Sequence, residues 1–357
     1  MKKKILFINI FGGQGGGGEV YLKRLIQALG KNNDSVLLSP KCKALDFDQN
    51  EDIQIIQIDE IRKNKSFFNI LIFFKLIFQI NYQILRIKPC KIIINGDRAI
   101  YLAPFLFLKN RIIGVKHMLI DSRIKGFLVN LVLKNSFKLV TISNFHKTNF
   151  TSYIKQSYLN KIVVIYNSVD VDSFLYKPIQ DFSRIKFIQI SSLEKRKGIF
   201  DTLNSFKHLT ETYQNVELSL VGSGEQIKLI TNFVEDNNLH SKIFVLGQRN
   251  DIKELLENHH ILLLPSYDEG LPLSILEAFS VGRPAISTRI AGIPELIDNH
   301  LNGFLVDAGD SNSLVEKMLW FCENPTTINK MGYNGRCKVE SGFSQTDWTE
   351  SWISLIN

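Results

Sequence analysis

The chain is poor in the residues that would commit it to metal, disulfide or fibrous chemistry. Its 357 residues include four cysteines, Cys42, Cys90, Cys322 and Cys337, in no metal or redox spacing. A disulfide-stapled or zinc-ribbon scaffold is thereby excluded, and reduced thiols are expected. No His/Cys/Asp cluster has metal-ligand spacing, so no metal site and no cofactor are expected. Nine prolines, no low-complexity tract and no internal repeat speak against a disordered or fibrous chain. Long hydrophobic runs are also missing. The most apolar stretch, residues 67–80, is 14 residues long and holds Asn69, Lys75 and Gln79, whereas a bilayer span takes about 20 apolar residues. The opening Met1-Lys-Lys-Lys-Ile-Leu-Phe-Ile-Asn-Ile-Phe11 carries Asn9 and runs into glycines without a small-residue cleavage site. A first β-strand is expected there, not a signal peptide.

What is present is a chain of 45% hydrophobic and 22% charged residues, long enough for two domains, each with its own core. Strand-like runs alternate with helical ones. The first half has them at 4–10, 36–38, 53–58, 92–94, 112–115, 139–142 and 162–165, the second at 187–190, 217–221, 243–246, 261–264, 284–287 and 303–306. Most are Ile, Val and Leu without alternation, as in strands buried on both faces. Two doubly wound α/β domains with parallel sheets follow. The break falls near residues 167–178. Charge divides along the same line: residues 1–180 carry 27 Lys and Arg against 12 Asp and Glu, and residues 181–357 carry 16 against 23. The basic half fits an anionic membrane surface, at about 1 kcal/mol per basic residue, or is a solvated lysine-rich face. No basic-aromatic nucleic-acid signature is present, and nucleic acid is not expected as a partner.

The chemistry concentrates in Ser266-Tyr-Asp-Glu-Gly-Leu-Pro-Leu-Ser-Ile-Leu-Glu-Ala-Phe-Ser-Val-Gly-Arg-Pro284. Residues 261–264 read as a buried strand, 265–270 as a turn, and Pro272 as the first residue of a helix that Gly282 and Pro284 close. Glu269 then precedes the helix and Glu277 lies inside it. The helix N-terminus between them offers free N–H groups and a partial positive charge, an anion site. A carboxylate on each side suits a ligand with hydroxyls at both ends of a phosphate, as in a nucleotide sugar.

This segment resembles the E-x7-E signature of the retaining nucleotide-sugar glycosyltransferases of family 4, which have the GT-B fold. The resemblance covers most of residues 187–310, with weaker support from 1–30 and 112–175. It implies two Rossmann-like domains facing a central cleft: an acceptor-side domain over 1–168 and a nucleotide-sugar domain over 172–343, with a C-terminal helix of about 344–357 packing back on the first. Val164-Ile-Tyr-Asn-Ser-Val-Asp170 and Phe174 resemble the family's interdomain linker. Glu269 would hold donor-sugar hydroxyls and Glu277 the ribose. The backbone around Gly270, Leu271, Leu273 and Ser274 would take the diphosphate. Ser191-Ser-Leu-Glu-Lys-Arg-Lys-Gly198 resembles the family's G-R-L-x-x-x-K-G element. Lys197 matches its lysine, Ser192 stands where its arginine would be, and Arg196 is the candidate substitute. Val221-Gly-Ser-Gly224 and Leu246-Gly-Gln-Arg249 resemble the turns beside the nucleotide, making Gly222 and Arg249 candidates or plain turn residues.

In the first half, Phe11-Gly-Gly-Gln-Gly-Gly-Gly-Gly-Glu19 follows the first strand and precedes a helical 20–29. Glycines there let N–H groups curl round an anion. The G-x-G-x-x-G spacing fits Gly13, Gly15 and Gly18, yet no acidic residue follows the second strand as a dinucleotide site needs. The family's diphosphate-facing loop is the better match, through Gly12, Gly13, Gly15 and Gly16. His117, at the end of Gly114-Val-Lys-His117, matches the family's histidine beside donor sugar and acceptor. Residues 67–80 read as a buried helix or as a membrane-dipping one flanked by Arg62, Lys63, Lys65, Arg86 and Lys88.

The expected protein is a retaining glycosyltransferase, moving a sugar from a nucleoside diphosphate, UDP before GDP, to a hydroxyl of a lipid-linked or polysaccharide acceptor in cell-surface glycan synthesis. It would be cytoplasmic or peripheral on the inner face of the plasma membrane. The alternatives are a GT-B epimerase, a glycoside hydrolase using two carboxylates, and a catalytically impaired homologue acting as a partner subunit.

Overall fold

The structure, a computed structural model, describes residues 2–10, 17–47, 51, 53–59 and 66–357, with the backbone alone for 66–71. The chain divides into two compact units, Met1–Tyr166 with Thr349–Asn357, and Asn167–Trp348. The first contains β1 (Lys3–Ile8), α1 (Gly17–Gly30), β2 (Asn33–Ser39), β3 (Ile53–Gln57), α2 (Ser66–Ile87), β4 (Lys91–Asn95), β5 (Ile112–Lys116), α3 (Arg123–Asn135), β6 (Lys138–Thr141), α4 (Asn144–Thr151) and β7 (Ile162–Val164). The second contains β8 (Ile185–Ile190), α5 (Ile199–Thr212), β9 (Val216–Val221), α6 (Ile227–Asp236), β10 (Ile243–Gly247), α7 (Ile252–Glu257), β11 (Ile261–Leu264), α8 (Leu273–Ser280), β12 (Ala285–Thr288), α9 (Ile293–Leu296), β13 (Gly303–Val306), α10 (Ser311–Glu323) and α11 (Thr327–Gly342). A last helix, α12 (Gln345–Ile356), ends the chain.

Both sheets are parallel throughout, in the orders β3-β2-β1-β4-β5-β6-β7 and β10-β9-β8-β11-β12-β13. Each apolar run read from the sequence forms one of these strands. Their ends agree to within three residues, and polar residues such as Asn33, Asp34 and Asn95 extend the ladders where they differ. In both sheets the order reverses beside the first strand, between β1 and β4 and between β8 and β11. Loops leaving the carboxyl ends of such a pair run to opposite faces and open a crevice, where ligands bind in open α/β sheets.

Two details differ from expectation. Pro272 is the N-cap of α8, with an extended ψ of 125°, so the helix proper starts at Leu273. Helix α2 runs to Ile87 and is not buried all round. Leu76, Ile80 and Ile84 lie in the core at successive turns, while Phe74, Phe78, Tyr82 and Leu85 are more than half exposed. A side-chain row every four residues can face only one way. The apolar residues on the other face of this helix are therefore left in solvent. Among the described residues no helix is long and apolar enough to cross a membrane.

Two buried arginines fasten the start of the second unit. Arg283 donates to the carbonyls of Leu256, Glu257, Lys177, Val281 and Gly282, and burial lowers its pKa to about 10. Arg336 Nη1 donates to the carbonyls of Val171, Phe174 and Ser280. Five rigid donors per guanidinium suit a cation that must satisfy several carbonyls at once.

His260, at the entry to β11, is 6% exposed and accepts a hydrogen bond from Lys186 N at Nδ1, 3.0 Å away. Burial, then the charges of Arg283 and Lys186, push its pKa down to about 4. In the unfolded chain a histidine titrates near pH 6.5, so its contribution is intact above that pH and is lost as pH falls towards 4. The unfolding free energy should therefore drop by about 2 kcal/mol between pH 8 and pH 5 from this residue. In urea titrations His260→Asn, which can still accept from Lys186 N, should flatten that part of the profile.

Candidate active site

The reversal in the second sheet brings together the loop after β8 and the loop after β11. Their approach is closer than any side chain permits. Gly198 has φ +64°, and a Cβ there would lie 2.0 Å from the Pro265 carbonyl oxygen. Tyr267 N donates to Arg196 O across the same junction, at 2.8 Å.

Lys197 is held at this junction from below. Gln189, fully buried on β8, donates Nε2 to the Lys197 carbonyl at 2.8 Å, and its own Oε1 accepts from Thr202 Oγ1 at 2.6 Å. The Lys197 side chain then meets Glu269, Nζ to Oε1, at 2.6 Å, with the two side chains only 11% and 9% exposed. The same Oε1 accepts from Ser266 Oγ at 2.9 Å, and Thr288 Oγ1 fixes the Ser266 carbonyl at 2.6 Å. A carboxylate with these two partners is held in one orientation, and the pair together carries no net charge.

Beyond Glu269 the loop is pinned at both peptides that precede the helix. Gly270 O accepts from Gly292 N at 3.0 Å, and Leu271 O from Asn167 Nδ2 at 2.6 Å. Leu273 and Ser274 open α8 and are half-buried, and Glu277 follows within the helix, also half-buried. The first N–H groups of a helix have no partner within it and carry its partial positive charge. The site thus sets an ion pair, a helix N-terminus and a second carboxylate along one stretch of backbone.

The other predicted residues divide. Gly222 packs against Ser191, next to Ser192, whose Oγ is buried without a hydrogen-bond partner among the described residues. Arg196 Nε is engaged by Glu194 at 2.7 Å and Arg249 Nε by Asp251 at 2.7 Å, both on exposed loops. Neither arginine joins the Lys197–Glu269 network. Gly12, Gly13, Gly15 and Gly16 lie outside the described residues, as do Arg62, Lys63 and Lys65.

His117 follows β5 in the first unit. Its Nε2 is 2.9 Å from Asn95 Oδ1, and Asn95 Nδ2 donates to Gly18 O at 2.9 Å. Tyr21 meets the imidazole edge to face at 5.1 Å, and the Tyr21 hydroxyl accepts from Trp352 Nε1 at 3.1 Å. Asp97 Oδ1 accepts from Lys116 Nζ and from Met118 N, each at 2.9 Å. Burial lowers the His117 pKa, against the opposing charges of Asp97 and Glu19. Burial pushes the Asp97 carboxyl up, but Lys116, His117 and the two hydrogen bonds outweigh it and hold it below the ordinary range.

Sequence reasoning passed over Gln189, Asn167, Ser266, Asn95 and Asp97. Each is a lone polar residue at a strand end or in a turn. Only the two asparagines carry a faint signal, as breaks after apolar runs. Among the described residues no group of three His, Cys, Asp or Glu could hold a metal ion.

With this geometry the fold is of the GT-B class. Anabaena HepE, solved in complex with UDP, superposes with a TM-score of 0.82 over 99% of both chains at 17% identity. Residues 178–338 match the family model of the group 1 glycosyl transferases. An uncharacterized glycosyltransferase of Methanocaldococcus jannaschii is 26% identical over 226 residues, 62% of this chain and 60% of the relative. The UDP-Gal:alpha-D-GlcNAc-diphosphoundecaprenol alpha-1,3-galactosyltransferase of Escherichia coli is 32% identical over 206 residues, 54% of this chain and 53% of that enzyme. The chain thus spans between half and two thirds of the length of these two curated relatives. The family match lies within the second unit, and both named relatives are glycosyltransferases.

Removing one member of a largely buried pair strands the other charge, at a cost of about 3 kcal/mol. Lys197→Met should therefore lower the unfolding free energy by that order. Adding Glu269→Gln should restore at least about 1 kcal/mol, because the coupling belongs to the pair. Denaturant unfolding of the two single variants and the double variant measures it; simple additivity would contradict the pairing.

Proposed function

We propose that the protein is a retaining glycosyltransferase, moving a sugar from a nucleoside diphosphate donor, UDP before GDP, to a hydroxyl of a lipid-linked or polysaccharide acceptor in cell-surface glycan synthesis. The observation that carries this reading is the Lys197–Glu269 pair set against the N-terminus of α8. The galactosyltransferase relative, whose name specifies a UDP sugar and a diphosphoundecaprenol-linked acceptor, and the UDP complex of HepE favour the choice of donor and acceptor class.

Breaking a glycosidic bond to a diphosphate puts positive charge on the sugar and negative charge on the leaving oxygen. The N–H groups around Leu273 and Ser274, together with Lys197, are suited to the negative end. Glu269 would accept from donor-sugar hydroxyls close to the positive end, oriented by Ser266. Glu277 would accept from the ribose. Without the arginine that Ser192 replaces, stabilisation of the diphosphate rests on Lys197 and backbone dipoles. His117 is assigned a hydrogen bond to a substrate hydroxyl.

For the membrane, the exposed row Phe74, Phe78, Tyr82 and Leu85 with Arg86 and Lys88 nearby supports peripheral binding to an anionic surface. Apolar residues would enter the acyl boundary and basic ones would meet lipid phosphates.

Incubation with a panel of UDP- and GDP-sugars, reading released nucleotide with and without a polyprenyl-diphosphate sugar, tests the activity. Transfer should keep the anomeric configuration by NMR, and Glu269→Gln should lower kcat/KM by about 100-fold or more. If no donor is bound or cleaved, the enzyme reading fails and a non-catalytic partner subunit takes its place. Interconversion of donor sugars without transfer would mark an epimerase. In vesicle co-sedimentation, Phe74→Ser/Phe78→Ser should reduce binding to anionic liposomes about 10-fold or more, each lost aromatic contributing of order 1.5 kcal/mol. Unchanged binding would sink the membrane surface assigned here.

A further inference from the structure

The tripeptide Asn95-Gly96-Asp97 leaves the end of β4 and secures His117 on both sides. Asp97 holds its two chain neighbours, through Lys116 Nζ and Met118 N. Asn95 holds the ring itself. Which way the Asn95 amide faces is decided by its second partner: Gly18 O can only accept, so Nδ2 must face it. The opposite orientation would set two carbonyl oxygens against each other. Oδ1 therefore faces His117 Nε2 at 2.9 Å, and since Oδ1 only accepts, Nε2 must carry a proton. A neutral imidazole has one proton, so Nδ1 is left as the acceptor.

We propose that Asn95 is a positioning residue for His117, fixing the Nε2–H tautomer so that Nδ1 meets the substrate as a hydrogen-bond acceptor for a sugar hydroxyl. This rests on the reading of His117 as a substrate contact and says what kind of contact it is. An acceptor nitrogen takes a hydroxyl proton; it does not take a phosphate oxygen, which would need imidazolium. The charged groups facing the ring are Asp97 from the end of β4, Glu19 from α1 and Lys116 from β5. Tyr21 supplies an aromatic wall whose hydroxyl accepts from Trp352. The two carboxylates favour imidazolium, while burial and Lys116 oppose it, and the neutral ring prevails at neutral pH.

Long-range proton–nitrogen correlation on the full chain labelled at histidine reads the tautomer directly, with His117→Gln identifying the His117 signal among the seven histidines. At pH 7.5 Nε2 should be protonated and Nδ1 bare. Asn95→Asp places a carboxylate on Nε2–H, so the His117 midpoint should rise by about 1 unit or more. The acidic limb of turnover should move to higher pH with it. Asn95→Leu, checked for folding by circular dichroism, should lower turnover about 10- to 100-fold. A wild-type Nδ1–H tautomer, or an unmoved midpoint in Asn95→Asp, overturns the proposal, and neither readout needs a substrate. If the tautomer is as stated but His117→Gln turns over like wild type, the substrate contact fails instead. Loss of all donor cleavage in the wild-type protein would be the separate failure of the transferase reading.

Discussion

The contact between Lys197 and Glu269 depends on the strand order beneath it, and the candidate site depends on that contact. Parallel strands deliver every loop from their carboxyl ends to one edge of the sheet. Only the reversal between β8 and β11 leaves two neighbouring loops with room between their helices. Gly198 then lets backbone pack on backbone, so that a lysine from one loop reaches a carboxylate on the other. The ammonium and carboxylate neutralise each other at rest. The helix dipole of α8 is left as the fixed positive element of the site, an arrangement suited to a ligand that brings its own negative charge.

The same reversal occurs in the first sheet, and a different solution occupies it. There the polar groups at the ends of β4 and β5 are Asn95, Asp97, Lys116 and His117. The Asp97–Lys116 pair fixes the strand ends, and the neutral histidine is left as the adaptable group. The second unit thus has a buried ion pair beside a helix N-terminus, and the first a neutral hydrogen-bonding side chain. Beside each of these residues sits a buried amide: Gln189 holds the Lys197 backbone and Asn95 the His117 ring. Outside both sites, α2 leaves an apolar row in solvent that packing within its own unit does not cover.

The strands were legible because burial on both faces demands Ile, Val and Leu in unbroken runs, a pattern that needs no partner to be recognised. Their ends were less so: Asn33 and Asn95 join the ladders through backbone bonds that any residue can make. Helix α2 misled in the opposite way. A mostly apolar stretch reads as all-round burial, yet a helix against a sheet has only one inner face. Glu269, Glu277 and Lys197 stood out because motif spacing carries them. Gln189, Asn167, Ser266 and Asn95 did not, since each is a lone polar residue whose hydrogen-bond partners belong to no motif.

Sequence alone determined two parallel α/β units, the loops that bear the charged residues and the helix that follows Glu269. All of these follow from local patterns of burial and turn chemistry. Tertiary structure alone decided that Lys197 touches Glu269 and that Asn95 faces the His117 ring. Those outcomes depend on which strands lie side by side and which way an amide faces, and no spacing along the chain encodes either.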